Sequence, residues 1–191
     1  MTSSPLVRTS ALAAPVLLFG YGALRLIDGL DGRHDKGAWM WNTGHVMFFA
    51  AMLLLGGLAV GGRRMLPFRD FRNRLAANLA VIGTLAGMVS FLWVIAGDLA
   101  PSFADAAPLA GPLQVLGPAV FQLGLLTLLV QLVRAHRLPA WSPVAVLFAF
   151  LMIAVTLDLI PVAAALLLAG LLPLRGRGAG LSGSGPRLAR G

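Results

Sequence analysis

The chain has 191 residues, of which 58% are hydrophobic, 12% are charged and none is cysteine, and its mean hydropathy is +0.85. A soluble domain carries roughly 25% charged residues, so half that share leaves apolar side chains with no environment but lipid. This composition excludes a water-soluble globule, a disordered chain and a disulfide-stapled module. The formal charge of +8 points to membrane orientation and not to nucleic acid, because the arginines lie in short clusters between apolar runs and not along one basic face.

Four apolar runs come first in chain order, at residues 9–27, 43–62, 75–97 and 113–133. Each holds 19 to 23 residues, close to the ~20 that a helix rising 1.5 Å per residue needs to cross ~30 Å of hydrocarbon. The first is read as a retained span and not a signal peptide, since Arg25 and Asp28 close it with no small-x-small cleavage site beyond. Pro15 and Pro118 fall inside the first and fourth helices, where a missing N–H predicts kinks.

The last apolar stretch, residues 140–174, is too long for one span and barely long enough for two. Asp158 and Pro161 interrupt it at the middle, and proline disfavours helical geometry in the residue before it. A hairpin here gives six spans and places twelve basic residues on the inner side against three on the outer, whereas five spans give eight against seven. The positive-inside rule therefore selects an all-α, polytopic transmembrane helical bundle of six spans, with five plus a re-entrant pair as the alternative. Residues 1–174 form its single domain and 175–191 a flexible cytoplasmic Gly/Ser/Arg tail. Both termini are expected in the cytoplasm of a bacterium, and the protein in its plasma membrane.

The acids, which play no part in that choice, separate just as sharply. All seven are Asp; Asp28, Asp31, Asp35, Asp98, Asp105 and Asp158 fall outside and only Asp70 inside. The loop between the first two spans also carries His34, with His45 at the top of the second span and Trp39 and Trp41 as expected interfacial anchors. Asp31, His34, Asp35 and His45 have the oxygen and nitrogen donors to bind a divalent metal, with Gly29, Gly32 and Gly37 letting the loop fold round an ion. Their spacing matches no established ligand motif. Haem is not expected as a cofactor, because only His45 of the three histidines lies on a span.

The fragment Asp28-x-x-Asp31-Gly32 resembles the opening of the motif of the CDP-alcohol phosphatidyltransferases, membrane enzymes that hold two metal ions with four aspartates. The resemblance covers five residues. Where that family continues with Ala-Arg this chain has Asp35-Lys36, and where it has a second aspartate pair helix two offers Met, Phe and Ala. No dinuclear site is therefore expected.

Charge within the hydrocarbon is costly, about 2.5–3.5 kcal/mol on insertion scales, so Arg25 and Asp158 should lie at the outer interface or find partners. With Asp98 and His45 at the same level, the sequence predicts one outward-facing polar pocket lined by Arg25, His45, Asp98 and Asp158. In that reading Asp158→Asn matters more than Asp105→Asn. Binding or passage of a small molecule or lipid is the expected function. A metal-assisted enzyme acting on lipid at the outer leaflet and an accessory membrane subunit are the alternatives. The expected partner is the lipid bilayer and not nucleic acid. Small-residue pairs at Gly57 and Gly61 and at Gly83 and Gly87, continued by Ala76, Ala80 and Ser90, predict close helix packing inside the bundle, a homo-oligomer or a membrane partner.

Overall fold

The computed structural model describes residues 4–30, 33, 36–67 and 70–176, and among these every regular element is helical. The helices are α1 (Pro5–Asp28), α2 (Trp39–Arg64), α3 (Phe71–Leu99), α4 (Pro101–Ala106), α5 (Gly111–Arg134), α6 (Trp141–Val155), α7 (Ile160–Leu171) and α8 (Pro173–Gly176). Ser4 starts α1 by accepting from the Val7 N–H, and α1 and α5 continue through Pro15 and Pro118. At the end of α5, Arg137 N–H reaches the Leu132 carbonyl and His136 N–H that of Val133. His136 takes the left-handed conformation (φ 55°) that this closing turn requires.

Five helical segments are long and apolar enough to cross a membrane: α1, α2, α3, α5 and the stretch Leu157–Arg175. The last apolar segment folds as the expected hairpin, but with unequal arms. Thr156 is extended and its hydroxyl caps a short 3-10 turn, Leu157–Leu159, after which Pro161 sits in the first turn of α7, where its missing N–H does no harm. α6, with 15 residues, extends only about 22 Å and is apolar but shorter than the ~20 residues that a crossing usually takes.

The helices form a ring in which α1 packs on α2, α2 on α3, α3 on α5, α5 on α6, α6 on α7, and α7 back on α1. Neighbours run antiparallel. Near its start, α1 meets the end of α2 through Val7 and Gly61, and near its finish Tyr21 meets Gly44. Gly22 lies under Ile160 and Pro161, while Arg8 shares a groove with Arg175. This alternation gathers Asp28, Asp98, Asp105 and Asp158 at one end of the bundle, the carboxylate rim. Arg8, Arg63, Arg64, Arg134 and Arg175 lie at the other, the arginine rim, together with Asp70.

Small residues set the closest seam. Ala80 and Thr84 face Gly124, Gly83 faces Val120, and Gly87 lies on the Gly117 carbonyl and Phe121, so that a Cβ at Gly87 or Gly124 would strike backbone. The predicted stripe on α3 thus finds its complement in Gly117 and Gly124 of α5. Gly57 and Gly61 lie against Leu6, Val7 and Ser10 of α1. All four glycines of the predicted pairs therefore pack within the chain. Across the middle runs a chain of rings, Tyr21–Phe48–Phe91–Phe121–Phe150, with centroids 4.7, 5.9, 5.5 and 5.9 Å apart. It takes one ring from each of five helices; Tyr21 and Phe48 stack and the other three pairs meet edge to face, and aromatic pairs of these kinds contribute about 0.5–1.5 kcal/mol each beyond burial.

Candidate functional site

The carboxylate rim is built from two i, i+4 pairs and the end of α3. On α2, Trp41 and His45 lie one turn apart, and the His45 Nδ1 is 2.8 Å from the Trp41 carbonyl. A carbonyl only accepts, so Nδ1 carries the hydrogen and Nε2 is the nitrogen turned outward. Nε2 lies 3.6 Å from Asp98 Oδ2, with the imidazole 4% exposed and the carboxylate 32%. The Trp41 indole N–H donates to the Asp98 carbonyl at 3.1 Å, so one residue of α2 both orients the imidazole and pins the end of α3 that carries its partner. On α1, Tyr21 packs edge-on to the imidazole at 5.3 Å, and Arg25, one turn further on, reaches the Tyr21 hydroxyl. Arg25 Nε is buried without a partner, beside a cavity of about 10 Å³ bounded by Tyr21, Arg25, Asp28, Trp41 and His45.

Beyond Asp98 the rim opens. After α3 the chain turns at Ala100 and folds α4 back, and a cavity of about 410 Å³ lies beneath it. Asp98 and Asp105 supply its carboxylates, Lys36 its ammonium, Trp93 and Phe103 its aromatic faces and Gln114 an amide. The two rings are 5.1 Å apart and inclined at 53°. The indole N–H of Trp93 donates to the Ala107 carbonyl at 2.8 Å and the Gln114 amide donates to that of Leu109 at 3.1 Å. Those two bonds fix the segment that closes the cavity from above. Lys36 also lies 5.7 Å from the Trp41 ring, within cation–π range.

The four residues predicted to share a pocket are therefore divided. Arg25 and His45 lie at the small cavity, and Asp98 stands between His45 and the large one. Asp158 sits apart, exposed on the hairpin turn, where its own N–H bonds to Thr156 Oγ1. That turn packs on α1 at Gly22, on another side from His45, and no ion pair or hydrogen bond joins Asp158 to Arg25, His45 or Asp98. Asp105, expected to be a bystander, lines the large cavity. Of the candidate metal ligands, Asp31, His34 and Asp35 lie outside the described residues. Among the described residues no group of three or more His, Cys, Asp or Glu gathers to hold a metal. Trp39 is 66% exposed, as an interfacial anchor would be, but Trp41 is 8% exposed and belongs to the bundle.

Trp93, Phe103 and Tyr21 did not stand out in the sequence. The spacings Tyr21–Arg25 and Trp41–His45 are both i, i+4, which puts each pair on one helix face. The meeting of Trp93 with Phe103 depends on α4 folding back, which no local pattern announces. No family model matches the chain, and comparison with curated proteins and with solved structures finds no match.

Proposed function

We propose that this is a plasma-membrane protein of a bacterium that binds a small organic cation with an apolar body at the carboxylate rim, on the outer side of the membrane. The observation that carries the reading is the cavity of about 410 Å³, within the range of roughly 300–1,000 Å³ usual for small-molecule sites. Its wall combines two carboxylates, against one ammonium at Lys36, with two aromatic faces. A quaternary or protonated amine is attracted both by carboxylates and by the negative face of an indole ring, while an apolar body fits against Trp93, Val94 and Phe103. His45 and Trp41 support the site from behind, because they hold Asp98 at the edge of the cavity. The orientation rests on the arginine distribution, which favours a cytoplasmic arginine rim and six crossings, with α6 and α7 completing the pair.

Titration of the detergent-solubilised protein with benzyltrimethylammonium tests the proposal, since this cation keeps its charge at every pH. Saturable binding, weakened about tenfold or more by Asp98→Asn and by Asp105→Asn but not by Asp158→Asn, is expected, in line with the ~1.5–3 kcal/mol of a charged contact. Equal affinity for benzenesulfonate, or equal effects of all three substitutions, would contradict it.

A further inference from the structure

At the opposite rim, a groove of about 400 Å³ lies between the first turns of α1 and the start of the tail. Pro5, Arg8, Thr9, Leu12 and Ala13 form one wall and Arg175 the other. Two guanidinium groups thus face one space, both exposed, and among the described residues neither has a side-chain hydrogen bond or ion pair. Among the described residues no carboxylate lines the groove. Two like charges brought together with no counter-ion among the described residues form a receptor for an anion, and arginine suits phosphate because its planar fork presents paired N–H donors. The Thr9 hydroxyl adds a further donor.

The walls decide which anion. Arg8, Leu12, Val16 and Phe19 follow one another at i+4, i+4 and i+3, so they share a face of α1. Val16 and Phe19 are 53% and 50% exposed, and in a spanning helix that exposure is to lipid. An apolar track therefore leads from the two arginines toward the middle of the bilayer, the path an acyl chain takes below its headgroup. We infer that the groove between α1 and α8 is a binding site for an anionic phospholipid. Its phosphodiester is held by Arg8 and Arg175, and its acyl chain lies along Leu12, Val16 and Phe19.

The full chain, extracted gently and exchanged into mixed micelles containing dioleoylphosphatidylglycerol or dioleoylphosphatidylcholine, is examined by native mass spectrometry. One phosphatidylglycerol per chain should be retained, and phosphatidylcholine should not. Arg8→Gln with Arg175→Gln should weaken retention about 30-fold, from the ~1 kcal/mol that each basic residue near an anionic surface supplies, and each single change about fivefold. Arg64→Gln with Arg72→Gln removes the same charge from the same rim and should leave retention unchanged. Equal losses in the two double variants would overturn the site in favour of a diffuse rim charge. Displacement of the lipid by millimolar inorganic phosphate would overturn the acyl track. The single variants keep the test readable if the double variant fails to fold.

Discussion

The two ends of the bundle carry opposite charge and hold it in opposite ways. At the arginine rim Arg8, Arg64, Arg72 and Arg134 are exposed, and Arg63 donates to Asn78 Oδ1 at 2.8 Å. At the carboxylate rim Asp98 is turned inward against a buried imidazole, and a short helix covers the space beside it. Exposed arginines need only headgroups and water, so their positions inform about orientation. Asp98 is held against His45 and faces the cavity on its other side, so its position informs about a site.

Substitutions at the two rims should differ accordingly in size. The largest effect is expected for Trp41→Ala, which removes a buried indole, its bond to the Asp98 carbonyl and its contact with His45. About 3–5 kcal/mol of stability should be lost, read as a fall in the thermal unfolding midpoint in a fixed detergent. Gly87→Val comes next, because a Cβ there strikes the Gly117 carbonyl and Phe121. Forcing α3 from α5 should cost about 1–3 kcal/mol, and an unaltered midpoint would remove the seam from the account. Trp93→Leu keeps an apolar side chain in the cavity wall but loses the indole face and its bond to the Ala107 carbonyl. It should weaken benzyltrimethylammonium about fivefold, the ~1 kcal/mol of an aromatic–cation contact. At the other rim Arg64→Gln should change stability by less than about 0.5 kcal/mol; a larger loss would show that the arginine rim is also built inward.

Much of this arrangement was legible in the chain because lipid leaves few choices. The run lengths of residues 43–62 and 75–97 required helices, the arginine clusters required alternation, and Asp158 with Pro161 marked the hairpin turn. The seam between α3 and α5 was half visible, since Ala80, Gly83 and Gly87 lie at helical spacing while Gly117 and Gly124 gain meaning only once α5 is docked. The site was less legible for the same reason. His45 and Asp98 lie side by side, 3.6 Å apart, but position along the bundle does not give rotation about a helix axis. Rotation is what places Asp158 on another side of α1 from His45. Asp105 joins the cavity through α4, a six-residue helix whose return depends on Ala100 and on the Trp93 bond to Ala107.

The most direct test of the central claim, an outward-opening cavity at the carboxylate rim, uses the absence of native cysteine. Single thiols are placed at Ala104, on the cavity wall, and at Ala140, exposed before α6 at the other rim, and intact cells are treated with a membrane-impermeant maleimide. The account predicts that the thiol at 104 reacts and is shielded by benzyltrimethylammonium, while the thiol at 140 reacts only after the cells are opened. Labelling at 140 with protection at 104 in intact cells would contradict it.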